Sequence, residues 1–381
     1  MKKKINYIGI GLVVAVWLFL TAFSWFGPKQ AESLSERRKL AQAPTLSVET
    51  LLAEDDLNPD GSIRKRNSFM SQFEAYSLDQ FPMRDTFRKI KSMFYYNALQ
   101  QIDNHNIYVA DGVAAEMIYP LDETMIKLNM SVFDDIYKTY LRRFPSVNVY
   151  MSVIPDKNFY LAEKYDYLKM DYDKLFAMTQ ELAPWATHID LTGSLTSEDY
   201  YQTDTHWRQE AIVPVAQTLA TAMGVPVPQE SDFTAVPMDV PFYGVYYGQA
   251  ALPMDPETIY LMQNETINSS AVLNMENNTI GNVYDMAELN SKDPYGVYLS
   301  GVKAILKIQN PNPTNNRELI IFRDSFGSSI SPLLIESYAT ITLIDLRYVE
   351  TPVLTKLFSQ MRNQDVLFLF SSLILNKTPL N

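Results

Sequence analysis

Leu319-Ile320-Ile321-Phe322-Arg323-Asp324-Ser325-Phe326-Gly327 is the stretch that decides how this chain folds. Four consecutive apolar residues read as a strand buried on both faces, and the polar pair that follows marks its end. Beyond it, Ser328 to Tyr338 reads as a helix and Ile341-Thr342-Leu343-Ile344 as a strand. Pro352 to Met361 reads as a helix and Val366-Leu367-Phe368-Leu369-Phe370 as a last strand. Strands alternating with helices across short joints predict an α/β fold, a parallel sheet flanked by helices with right-handed crossovers. Ligands of such sheets bind beyond the carboxyl ends of the strands, which is where Asp324 and Ser325 fall.

Working back along the chain, Val147 to Ile154 predicts another buried strand, stopped by Pro155, and His188 to Leu191 a short one. Val132, Phe133, Ile136, Tyr137, Tyr140 and Leu141 share a helical face, and Asp173 to Leu182 reads as a helix. Trp207 to Met223 also reads as a helix, capped by Gly224 and blemished by Pro214. Residues 225 to about 315 lack strong periodicity and are rich in proline and asparagine. That section reads as an insertion carrying short strands, one of them over 301–308. Phe69, Phe73 and Tyr76, and then Phe87, Ile90 and Phe94, recur at helical spacing on either side of Pro82. The second stripe is expected to pack in a core.

The N-terminus concerns location. Lys2, Lys3 and Lys4 precede a charge-free run from Ile5 to Pro28, long enough to cross a bilayer as a helix, with Tyr7 and Trp25 near its ends. The lysines place the N-terminus in the cytoplasm and the remainder outside. Ala22-Phe23-Ser24 leaves a cleaved signal peptide as the alternative to an uncleaved anchor. The expected organisation is an anchor over 1–28, a stalk over 29–67, and a catalytic domain over 68–381 with its insertion at about 225–315.

The chain has 381 residues, 47% of them hydrophobic, and a formal charge of -12, which argues against nucleic acid as a partner. With no cysteine, thiolate nucleophiles, disulfides and zinc–thiolate sites are excluded. Only three histidines occur, at 105, 188 and 206; no ligand spacing joins them, so neither a metal site nor a cofactor is expected. His206 stands two residues after Asp204, in Thr203-Asp204-Thr205-His206-Trp207. A carboxylate this near can fix the tautomer of an imidazole and stabilise its charged form, and a serine hydroxyl needs such a base to act as nucleophile. Asp204, His206 and Ser325 are therefore the candidate catalytic residues. Each motif reads equally as a helix cap when taken alone. Arg347, Lys157 and Tyr247 are candidate substrate-binding residues, with pairing of Arg347 to Asp345, solvation of Lys157 and strand-edge packing of the tyrosine as the plain alternatives.

Several ordered motifs carry a resemblance: Asp79-Gln80-Phe81-Pro82-Met83-Arg84, Ile154-Pro155-Asp156-Lys157, Tyr200 to Trp207, Phe322 to Gly327, and Ile344-Asp345-Leu346-Arg347-Tyr348. With these the chain resembles the SGNH-hydrolase-like polysaccharide O-acetyltransferases, the AlgJ/AlgX group, and above all their DHHW branch. The resemblance implies an SGNH-hydrolase-like, flavodoxin-like sheet with permuted motif order, the histidine motif preceding the serine motif. It implies a triad of Asp204, His206 and Ser325 that transfers acetyl groups to a cell-envelope or secreted polysaccharide, supplied by a membrane-bound acyltransferase. A carbohydrate esterase with the same triad, or a non-catalytic glycan-binding or scaffold member of a synthase complex, are the alternatives. Two departures stand out: Thr205 occupies the place of the first histidine of Asp-His-His-Trp, and Arg323 that of the glycine before Asp-Ser.

Overall fold

A computed structural model describes residues 2–58, 61–349, 351–358, 361 and 363–380. The side chains of Lys2, Lys3, Lys4 and Trp25, read above as flanks of the apolar run, lie outside the described set, as do residues 359 and 360 of the helix expected to reach Met361. The chain divides into two compact units, one of residues 1–102 with 248–253, the other of residues 103–247 with 254–381.

The first unit begins with one long helix, Lys2–Phe26, whose segment Tyr7–Ser24 is long and apolar enough to cross a membrane. Two further helices, Phe69–Asp79 and Arg84–Met93, flank Pro82 as its ring geometry requires. The Asp79–Arg84 motif between them is a clamp. Asp79 accepts two hydrogen bonds from the Arg38 guanidinium, at 2.6 and 2.8 Å, and Gln80 bonds the backbone of Gln30 in both directions. The aromatic stripe expected in a core is a correction: Phe87, Ile90 and Phe94 are 45%, 56% and 54% exposed. Helical spacing shows that residues share a face; it does not supply a layer to cover it.

The second unit is built on an eight-stranded sheet. Its strands in chain order are β1 (Asn148–Ile154), β2 (Thr187–His188), β3 (Ala271–Asn274), β4 (Thr279–Asn282), β5 (Ile305–Gln309), β6 (Glu318–Arg323), β7 (Thr340–Ile344) and β8 (Gln364–Ser371). Their spatial order is β4-β3-β5-β7-β6-β8-β1-β2. From β7 to β2 the neighbours run parallel, the mixed α/β architecture with a central sheet flanked by helices that the βαβ rhythm predicts. The chain leaves β6 for β7 on one side and then returns past it to β8 on the other. That reversal opens a crevice at the carboxyl end of β6. Leu319 and Ile321 point into one core layer, Ile320 and Phe322 into the other. Helices cover both layers, with Leu219 of Val213–Met223 in the first and Phe133 of Glu123–Ile136 in the second.

Three readings change. The section expected to be an insertion supplies β3, β4 and β5, an antiparallel extension of the sheet itself, because β5 finds the open edge of β7. The helix expected from Trp207 begins only at Val213, since Pro214 occupies its first turn, the position where a missing N–H costs nothing. His206 therefore sits on a non-helical loop. The first half of the helix expected over 328–338 is α-helical as far as Ile330, and Pro332 turns the remainder into a 3-10 segment.

Candidate active site

The serine arrives by strand. Ser325 stands two residues beyond the end of β6, with Asp324 between, at the start of the short helix Phe326–Ile330, its side chain making no cap. Capping falls to Asp324, whose Oδ1 accepts from the Phe326 N–H at 3.0 Å and Oδ2 from the Ser371 N–H at 2.8 Å. The Ser325 hydroxyl is thereby spared local work and remains partly exposed. The Gly327 N–H bonds Asp324 and the Ser328 N–H bonds Ser325. With the Phe326 N–H held by the Asp324 side chain and the next two by backbone carbonyls, the Ser325 N–H is, among the described residues of this turn, the one left to meet an oxyanion.

The histidine arrives by a loop. Tyr200 and Trp207 form an antiparallel bridge and the Tyr201 N–H bonds the His206 carbonyl, so residues 201–206 make a closed turn. Asp204, fully buried, accepts with Oδ1 from the His206 N–H at 3.0 Å and lies 2.6 Å from His206 Nδ1. Its Oδ2 accepts from the Val245 N–H at 2.8 Å. These N–H donors replace the water that a buried carboxylate would otherwise lose. His206 Nε2 lies 2.7 Å from Ser325 Oγ. The imidazole, 8% exposed, stacks on the Tyr295 ring at 3.9 Å between centroids and 12° between planes, with Phe326 tilted against it at 4.9 Å. Asp204, His206 and Ser325, far apart in sequence, form one hydrogen-bonded line.

A second set of residues holds the loop. Glu257 accepts from the N–H groups of Gln202 and Thr203 and from the Thr203 hydroxyl, at 2.6, 2.8 and 2.7 Å. Trp207 Nε1 donates to Ser329 Oγ at 2.7 Å, and Tyr295 Oη meets the same oxygen at 2.7 Å, which fixes the tyrosine ring against the imidazole. Thr205 is within hydrogen-bonding reach of the buried Tyr246 hydroxyl. None of these supporting roles for Glu257, Ser329, Tyr295 or Tyr246 is visible in the sequence, since each partner lies tens of residues away. Only the small size of Gly244 hints at one. A Cβ there would stand 2.2 Å from the Thr203 carbonyl oxygen and 2.3 Å from the Asp204 nitrogen. Gly244→Ala is expected to cost about 2 kcal/mol or more of stability, at the upper part of the overpacking range, and to displace Asp204. Denaturant unfolding that leaves the midpoint unchanged would contradict the close approach.

Of the candidate binding residues, Arg347 is committed to Asp345 by two hydrogen bonds at 2.8 and 2.6 Å. Tyr247 is half-buried, its N–H on the Thr203 carbonyl at 3.3 Å, its ring 4.4 Å from that of Tyr243. Lys157 is 3% exposed; its ammonium donates to the carbonyls of Tyr201 and Gln202, at 2.9 and 3.4 Å, and lies over the Tyr246 ring. Its geometry is that of a brace for the histidine loop, with no face toward a dissolved ligand. Burial pushes its pKa down to about 7. The unfolded chain would hold this proton up to about pH 10.4, so between these values the unfolded state binds more protons and the contribution of Lys157 to stability rises with pH. The unfolding free energy of the wild type minus that of Lys157→Met should therefore grow from pH 7 to pH 9, by at most about 1.4 kcal/mol per unit. Urea titrations giving a flat or falling difference would refute it.

Arg323, standing where the resembled pattern has glycine, is buried beneath this site. Its guanidinium is 3.8 Å from Asp345 and donates weakly to the carbonyls of Asp324 and Lys303. Gly327 packs on its stem, where a Cβ would meet Arg323 Cβ at 2.6 Å. The departure is thus absorbed under the strand end and does not enter the line of three residues.

Residues 188–344, which include both halves of the candidate triad, match the family described as DHHW protein. Over these residues the chain is DHHW-like. Among solved structures it is similar to a DHHW family protein from Eubacterium siraeum DSM 15702, with a TM-score of 0.53 and 22% identity over 71% of this chain and 91% of that one. It is also similar to Bacillus cereus PatB1 solved with a sulfonyl adduct, with a TM-score of 0.57 and 17% identity over 73% of this chain and 97% of that one. No curated protein sequence matches it. These likenesses show that the chain shares the fold of those two proteins and leave its chemistry to be argued from its own residues.

Proposed function

We propose that this chain is a membrane-anchored, extracytoplasmic O-acetyltransferase that modifies a cell-envelope or secreted polysaccharide through an acyl-Ser325 intermediate. The observation that carries this is the unbroken line Asp204–His206–Ser325, with both links at hydrogen-bonding distance. Asp204 keeps the proton on Nδ1, which leaves Nε2 to accept. Ser325 Oγ attacks the acetyl carbonyl carbon while its proton passes to Nε2. The tetrahedral oxyanion, facing the Ser325 N–H, collapses, and the leaving oxygen takes the proton from His206. A sugar hydroxyl then attacks the acyl-serine, again giving its proton to Nε2, and Ser325 leaves with that proton restored.

The motif resemblance supports acetyl as the group and a polysaccharide as the acceptor. The apolar helix Tyr7–Ser24 behind three lysines supports an anchor with the catalytic unit outside. An acetyl donor made in the cytoplasm would then need a membrane-bound acyltransferase to cross the bilayer. The sulfonyl adduct of PatB1 suggests a direct probe, since sulfonyl fluorides capture activated hydroxyls.

The test uses the full chain in detergent micelles with 4-nitrophenyl acetate, with and without oligosaccharides. Mass spectrometry is expected to find one acetyl on Ser325, and added sugar is expected to accept it. Release to water alone in every condition would convert the reading to an esterase. Neither an acyl-Ser325 nor a sulfonylated Ser325 would end both enzymatic readings.

A further inference from the structure

The antiparallel extension carries a cavity of about 290 Å³ at the same edge of the sheet as Ser325. The register shows this without appeal to side chains. Ile344 of β7 lies beside Phe322 near the carboxyl end of β6 and pairs with Ile305 at the start of β5. Leu306 pairs with Asn274 at the end of β3, which pairs with Thr279 at the start of β4. Asn274 is thus three strands from β6, about 14 Å at the usual strand spacing. Lys303, also at the cavity, offers its carbonyl to Arg323, two residues before the serine.

The lining suits hydroxyl-rich ligands. It presents the side chains of Asn274, Asn277, Asn282, Asp285, Glu288 and Lys303. Asn274 and Asn277 engage their amide oxygens with the backbone N–H groups of Glu276 and Thr279, which leaves their NH₂ ends as donors. Ile280, 75% exposed, adds an apolar surface of the kind that meets the C–H face of a sugar ring. Two carboxylates against one ammonium disfavour an anionic chain. A second observation concerns the strap between this cavity and the candidate triad. Leu299, Ser300 and Gly301 all have positive φ, at 57°, 58° and 70°. Such backbone is costly for leucine and serine and persists where surrounding structure holds it, commonly at ligand sites. The strap joins Tyr295 and Tyr298, the first of which stacks on His206, to Ser300 and Lys303 of the cavity, and Ser300 Oγ anchors it to Asp285 at 2.9 Å.

We propose that this cavity is a distal subsite for an uncharged polysaccharide, holding the chain a few sugars away from the residue that Ser325 acetylates. The proposal rests on the reading of the protein as a polysaccharide-modifying enzyme, and its test reads binding apart from turnover. Full-length Ser325→Ala protein in micelles is titrated calorimetrically with β-1,4-linked oligomers of N-acetylglucosamine, glucose and galactose, each of two and six residues, and with hexagalacturonate. At least one neutral hexamer is expected to bind ten-fold or more tightly than its dimer. Asn282→Ala combined with Lys303→Gln, both changes outside the triad, should remove at least five-fold of the hexamer affinity. Dimer affinity, and 4-nitrophenyl acetate turnover on the Ser325 background, should not move. Equal affinities for dimers and hexamers, or a double variant that binds like its parent, would overturn the subsite; tighter binding of hexagalacturonate would overturn its preference for neutral chains. Length-dependent binding without any acetyl turnover would leave the subsite standing and remove the acetyltransferase reading.

Discussion

Ser325→Ala is expected to lower acetyl transfer by about four to six orders of magnitude while leaving the fold intact. The hydroxyl is the only atom removed, and its structural work is small: it makes no helix cap, and Asp324 holds the turn with both carboxylate oxygens. What is lost is the bond-forming atom itself, 2.7 Å from the imidazole that must take its proton. Acyl-enzyme should vanish from the mass spectrum, and the thermal midpoint should stay within a few degrees of the wild type. A variant retaining more than about one per cent of the transfer rate would remove Ser325 from the chemistry, because the residual catalysis of binding and oxyanion contacts falls far below that level.

Asp204→Asn should cost about three to four orders of magnitude, for a different reason. Asp204 bonds the Val245 N–H with one oxygen and the His206 ring with the other. An asparagine that keeps its carbonyl toward Val245 presents its NH₂ group to Nδ1. The imidazole must then carry its proton on Nε2, pointing at Ser325, and cannot accept another. Nitrogen-15 spectra of the His206 ring provide the readout that a merely structural role would not move: the proton should shift from Nδ1 to Nε2. A variant with full activity, or one inactive with the tautomer unchanged, would contradict the orienting role of the carboxylate. Gly244→Ala acts on the same carboxylate from behind, so it should share part of this loss together with its loss of stability.

How much of this was legible in advance follows from the range of each interaction. The β6–helix–β7–helix–β8 succession was legible because runs such as Leu319-Ile320-Ile321-Phe322 declare burial locally. Asp204 and His206 were legible because two residues of separation bring their side chains together within one turn. The exposed face of Phe87, Ile90 and Phe94 was not, since periodicity records which residues share a face and is silent on whether anything covers it. The helix starts at Val213 and not at Trp207 because proline is welcome in a first turn and costly inside.

Sequence alone determined the chemical inventory: one serine after a buried strand, one histidine beside an aspartate, no thiol, and a charge-free run behind three lysines. Tertiary structure alone decided that strands β3, β4 and β5 extend the sheet, that Lys157 and Glu257 brace the histidine loop, and that Tyr295 backs the imidazole. The physical reason is common to all three. A hydrogen bond or ring contact between residues tens of positions apart is specified by the strands and loops that carry both partners together, and no local pattern in either segment names the other.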